Sequence, residues 1–259
     1  MRTPSQFRAR YGHSVFFRMK IISIHQPHYH SWLGLLHKIA CSDEHIILDD
    51  VQFRKRNFQN RAQYSSPQGS KLLSLPVNAK GHQSNSLTIE QIELPDSVSI
   101  KKNFQTLKHR YCKTPGWRLI SDTLEELHHQ KHSKLVSINM ALLEFTLSLF
   151  QIDTPLIMAS KLEVEGVKNQ RLINLCLSRH ATHYLSGNGA KKYMDDVLFA
   201  RHGLQVEYQQ FSHPVYSQGC DTDFQPGCMA IDWYCHQPEE ALRFFQEPQP
   251  LNTEIYARS

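Results

Sequence analysis

The sequence predicts an α/β fold, a Rossmann-like and mostly parallel sheet with a central helical insert. Three observations carry this reading. The apolar runs "KIISIHQ" and "EHIILDDVQF" flank a segment of helical periodicity, "SWLGLLHKIACSD", and strand, helix and strand within ~30 residues make a βαβ unit, whose crossover pairs the strands in parallel. Strands and helices alternate again towards the C-terminus. Between the halves, Ser99 to Phe150 reads as mostly helical, broken at "KTPGW".

The elements follow in order. "KIISIHQ" is β-branched and apolar, a buried strand ending at His25. Ser31 is placed to cap the helix that follows. "SSPQGSK" is a turn, and "KLLSLPV" and "LTIEQIEL" are strands around the polar loop "NAKGHQSN". "TPLIMAS" is a strand, "KNQRLINLCLSRH" a helix and "THYLSG" a strand. "AKKYMDDVLFARHG" is a helix with Gly203 at its C-terminal cap, and "LQVEYQQF" a strand. This organisation gives one domain over 19–246 with a helical insert at about 99–150. Residues 1–18 read as an N-terminal extension, the natural start falling at Met19, and 247–259 as a flexible tail.

Composition narrows the function classes. With 40% hydrophobic and 20% charged residues, the chain has the makings of a packed core. A formal charge of +5 suits anionic ligands but lacks the concentrated stripe of a nucleic-acid binder. No apolar run approaches the ~20 residues that cross a bilayer; "MALLEFTLSLF" is broken by Glu144 and reads as a buried amphipathic helix. Six cysteines without a CxxC pair and no signal peptide point to reduced thiols in the cytoplasm.

Three polar clusters are the candidates for chemistry. In "IHQPHYHSWLG", His25 and Gln26 end a strand, Pro27 fixes the turn and Trp32 follows. A histidine there suits a base near neutral pH or a ligand hydrogen bond, and a hydrogen-bonded structural corner is the plainer alternative. His28 and His30 form an HxH pair without an identifiable third ligand, and Cys220, Cys228, Cys235 and His236 are irregularly spaced for zinc. No metal site is assigned.

The second cluster, "LDDVQFRKRNFQNRAQY", sets Asp49 and Asp50 at a strand end beside Gln52, Arg54, Lys55, Arg56, Gln59, Asn60 and Arg61. Carboxylates there can hold an amine or ribose hydroxyls, and arginine forks take phosphate or carboxylate. An exposed basic loop is the alternative. Ligands of parallel sheets sit beyond the carboxyl ends of the strands, so His25 and Asp49–Asp50 are expected on one rim. In the third cluster, "YLSGNGAKKYMD", Gly187 and Gly189 follow a strand, with Tyr184, Ser186, Lys191 and Tyr193 around them. This turn could offer amides to an anion or be an ordinary strand-to-helix turn. No cysteine or serine signature supports covalent catalysis.

Taken together, "IHQPHYHSWLGLLHKIACSD", "ILDDVQFRKRNFQNR", "SKLEVEGVKNQRLINLC", "HYLSGNGAKKYMD" and "VEYQQFSHPVYSQ" resemble, in order, the WbqC-like family. Ser31 stands where the family commonly has proline before Trp32. The resemblance implies a place in O-antigen or other surface-polysaccharide biosynthesis and transfer of glycine or another amino acid to an amino sugar. On that reading His25 deprotonates the attacking ammonium and Asp49 or Asp50 orients an amine. Arg56 and Arg61 grip phosphates of a nucleotide-linked sugar or an activated, carrier-bound donor. Gln26, Trp32, Gln52, Lys55, Asn60, Tyr184, Ser186, Gly187, Gly189, Lys191 and Tyr193 complete the substrate contacts. No cofactor is assigned, ATP or an activated amino-acid donor being the compatible classes. The alternative is a non-catalytic binding protein for a nucleotide sugar or anionic glycan intermediate, and a nucleic-acid modifier is a third reading.

Overall fold

The computed structural model describes residues 19–78, 86–95, 97–219 and 222–246. The extension expected at 1–18, the tail expected at 247–259 and most of the polar loop expected at 78–85 lie outside them. In chain order the elements are β1 (Ile21–His25), α1 (Leu33–Ala40), β2 (Glu44–Ile47), β3 (Arg61–Ser66), β4 (Gly69–Ser74), α2 (Val98–Tyr111), α3 (Trp117–His129) and α4 (Leu135–Leu149). Then come β5 (Leu156–Met158), α5 (Lys168–Ser178), β6 (His183–Ser186), α6 (Asp196–Arg201), β7 (Gln205–Tyr208), α7 (Ala230–His236) and α8 (Pro238–Gln246).

Five strands form one parallel sheet in the order β5-β2-β1-β6-β7, and β3 and β4 pair separately as an antiparallel hairpin. This is the Rossmann-like α/β architecture the sequence predicts. The chain works outward from β1 through β2 to β5, then returns through α5 to β6 on the other side of β1. The carboxyl ends of β1 and β6 therefore flank a topological switch point, where open α/β sheets bind their ligands.

Both faces of the sheet are covered. Ile22, Ile24 and Ile46 pack with Ile173, Cys176, Tyr184 and Phe199 beneath α5 and α6. On the opposite face Ile47 joins Leu33, Leu36 and Ile39 of α1 and the apolar sides of α2, α3, α4 and α7. Ser23 and His45 sit side by side on that second face and are fully buried, so the layer under α1 carries a polar seam.

Local chemistry explains where the sequence expectations fail. "LTIEQIEL" is not a strand: Ile89–Gln91 is a 3-10 turn, and its three-residue spacing sends Ile89 and Ile92 to the core together. "AKKYMDDVLFARHG" does not form one helix. It divides into a 3-10 turn over Asn188–Tyr193 and α6, because the Asp195 carboxylate accepts from Leu198 N at 3.0 Å and starts a new helix. Trp32, not Ser31, takes the cap position of α1. The β3 strand lies inside the stretch expected as a polar rim loop. The Gly203 expectation fits, its φ of 74° standing just beyond the His202 cap.

Candidate functional site

His25 closes the central strand and remains partly exposed. Its Nδ1 lies 2.9 Å from the Gln26 carbonyl; a carbonyl only accepts, so Nδ1 carries the hydrogen and Nε2 keeps its lone pair. Burial, then the nearby charge of Lys38, then His28, hold the His25 pKa well below the ordinary value. At neutral pH this imidazole is a base. The His28 ring stands edge-on to it at 4.6 Å between centroids, with its own pKa pulled down to about 4 by burial and then Lys38.

The turn after β1 is clamped to the loop 54–60. Gln59, fully buried, donates from Nε2 to Gln26 Oε1 at 2.7 Å and accepts from Arg54 N at 3.0 Å. Tyr29 N donates to the Phe58 carbonyl at 2.9 Å. Gln59, a member of the second polar cluster, and Phe58, which the sequence did not single out, thus hold the turn after β1.

The two aspartates part company. Asp49 is 1% exposed, and its carboxylate accepts from Ser160 N at 3.0 Å and Ser160 Oγ at 2.7 Å, tying the end of β2 to the end of β5. Both oxygens of Asp49, expected as a catalytic carboxylate, are engaged within the fold. Asp49→Ala removes two charge-assisted hydrogen bonds and strands buried donors, so a loss of about 2–4 kcal/mol is expected in urea unfolding. Asp50 turns the other way, pairing through Oδ2 with Arg171 of α5. Its Oδ1 is buried and has no partner among the described residues.

The remaining expected contacts disperse. Gln52, Lys55 and Arg56 are exposed, with Arg56 in a left-handed turn at φ 62°. Arg61 opens β3 with its Nε buried and unbonded among the described residues. Asn60 donates to the Leu75 carbonyl. The Trp32 indole lies over Gly34, where a Cβ would come within 2.3 Å of the ring, and meets Phe211 edge-on at 5.6 Å. Gly34 is therefore required by the tryptophan, and Trp32 by packing.

At the β6 end, Tyr184 and Ser186 are both buried. Gly187 and Gly189 have neither a positive φ nor a close neighbour, so neither position demands glycine. Gly187 precedes, and Gly189 lies within, a six-residue 3-10 segment, too short to build the helix dipole that would hold an anion. Lys191 and Lys192 lie over the rings of Tyr208 and Tyr193, at 5.4 and 5.0 Å. The HxH rings diverge: His30 stacks on His128 of α3 at 5.3 Å, away from His28. Among the described residues no group of three His, Cys, Asp or Glu could hold a metal ion.

Lys38 is the residue that sequence reasoning missed. It is 4% exposed, and its Nζ donates to the Ile24 carbonyl at 3.1 Å. Burial pulls its pKa down to about 7. Around it the polar seam is bonded: Ser42 Oγ donates its one hydrogen to the Lys38 carbonyl at 2.7 Å and lies 2.7 Å from Ser23 Oγ, which in turn lies 2.7 Å from His45 Nδ1. The available signal was a lysine inside the apolar run "LGLLHKIA".

A second polar centre lies away from the sheet rim. Asp232 of α7, wholly buried, accepts from Tyr111 at 2.6 Å, Ser65 N at 2.8 Å and Tyr216 at 3.0 Å. These bonds lock the hairpin to α2 and α7. A half-open cavity of about 670 Å³ lies between the hairpin and α2, lined by Tyr64, Lys71, His109 and Arg110 among others.

A parallel sheet of this strand order, with a neutral histidine at its switch point, defines an open α/β protein whose candidate site lies on the carboxyl rim. Within that class the chain belongs to the WbqC-like protein family, whose model matches residues 26–244. It is 31% identical over 215 residues to the uncharacterized protein Rv1507c of Mycobacterium tuberculosis, the match covering 83% of this chain and 92% of that protein. No solved structure matches it. Among the described residues no helix is long and apolar enough to cross a membrane.

Proposed function

We propose that this chain is an acyl transferase of surface-polysaccharide biosynthesis that joins glycine or another amino acid to an amino sugar through an amide bond. The observation that carries the reading is His25, a neutral imidazole with an available Nε2 beside the switch point. The resemblance supports the substrate class and the geometry supports the base. An ammonium has no lone pair, so it first gives one proton to solvent, and His25 Nε2 takes a second from the amine as the nitrogen bonds to the acyl carbon. The proton then passes to the leaving group of the activated amino acid. Asp50, with an oxygen to spare, orients the amine, and exposed Lys55 and Arg56 meet the phosphates of a nucleotide-linked sugar. Holding the two reactants together supplies much of the acceleration.

The test incubates the protein with a nucleotide-linked amino sugar and glycine activated as a thioester, and reads the product by mass. A glycyl amide of the sugar supports the proposal. Binding of the sugar nucleotide without product, across a panel of activated amino acids, would instead favour the non-catalytic carrier.

A further inference from the structure

We propose that Lys38 is the cation of an anion-binding site at the switch point, and that the ligand held there carries a carboxylate or phosphate oxygen. The geometry begins with the sheet. The His25 carbonyl accepts from Leu48 N on the β2 side, so the preceding Ile24 carbonyl points towards β6. The β1–β6 register ends at Ser23↔Leu185. Beyond it the strands part, and the Ile24 carbonyl takes Lys38 Nζ in place of a ladder amide. The Nζ position is thus fixed beside the carboxyl end of β1, one residue from His25.

Among the described residues no carboxylate lies within 4 Å of Lys38 Nζ. The titratable groups that feel it are His25 on β1, His28 on the turn and His45 on β2, and all three have their pKa lowered by it. A buried ammonium with one carbonyl partner and three neutral rings lacks a counter-ion. His25 and Gln26, which follow Ile24 at the end of the same strand, are partly exposed and put the ammonium within one or two residues of solvent-facing chain. Its depressed pKa fits the same picture, since an arriving anion restores the charged form and takes up a proton above pH 7.

This inference extends the reading above and stands apart from it, because it requires no turnover. The experiment follows lysine side-chain carbons by NMR in protein labelled at lysine Cε. One resonance is expected to titrate near neutrality and to vanish in both Lys38→Arg and Lys38→Met, either of which suffices to assign it. Inorganic phosphate or acetate should raise its midpoint by about one pH unit or more, a tenfold preference for the charged form. Whichever anion acts at the lower concentration names the source. A midpoint unmoved by either anion overturns the proposal, whatever the transferase assay gives.

Discussion

Lowering the pH from 7 to 5 should unfold the protein. His25, His28, His30, His37, His45 and His128 all have pKa values pulled down chiefly by burial, those of His28, His37 and His128 to about 4. In the unfolded chain each titrates near 6.5. Between those values the unfolded state binds more protons, so the stability these rings permit is present above pH 6.5 and is lost as pH falls through that window. Each ring costs about 1.4 kcal/mol per pH unit. By pH 5 the three rings held near 4 together cost on the order of 6 kcal/mol, within the range of an ordinary domain's whole stability, and His25, His30 and His45 act in the same direction. The His30–His128 contact, 3.3 Å between ring nitrogens, sharpens the effect because it requires one nitrogen to keep its lone pair. Far-ultraviolet circular dichroism against pH should show a cooperative loss centred above pH 5, and His128→Gln should move it to lower pH. A signal unchanged to pH 4.5 would contradict the burial of these rings.

Replacing Lys38 with methionine should stabilise the fold by on the order of 3 kcal/mol at pH 7. A pKa near 7 in the folded state, against about 10.5 unfolded, means that folding strips solvent from a charge the unfolded chain keeps. From pH 7 to 10.5 the unfolded state binds more protons, so wild-type stability climbs with pH through that window and the full penalty stands below it. Methionine fills the same volume without the charge, and the lost bond to the Ile24 carbonyl subtracts about 1 kcal/mol. Urea titrations at pH 7 and pH 10 should therefore converge for Lys38→Met and differ for the wild type. Retaining a lysine at such cost fits a residue kept for its ligand rather than for the fold.

The sheet was legible in the sequence because its strands are short apolar runs and its helices keep a clear apolar stripe. The helical insert was legible for the same reason, with Pro115 and Gly116 marking the break before Trp117. The β3–β4 hairpin was half hidden, since β3 is polar and carries its own partner in the following strand. His25 was legible as a strand end. That Asp49 is absorbed by Ser160, 111 residues away, was not, because nothing local distinguishes an engaged carboxylate from a catalytic one. Lys38 was obscured in the same way: its significance arises from where β6 leaves β1, a property of the strand order.

The central claim is that His25 serves as the base for amide formation, and the direct measurement is the rate of glycyl transfer by the wild type and His25→Ala under the same conditions. The account predicts that the variant stays folded, as circular dichroism would show, still binds the sugar nucleotide and loses turnover by about 10²–10⁴-fold. A folded His25→Ala protein that forms the amide at the wild-type rate would contradict it.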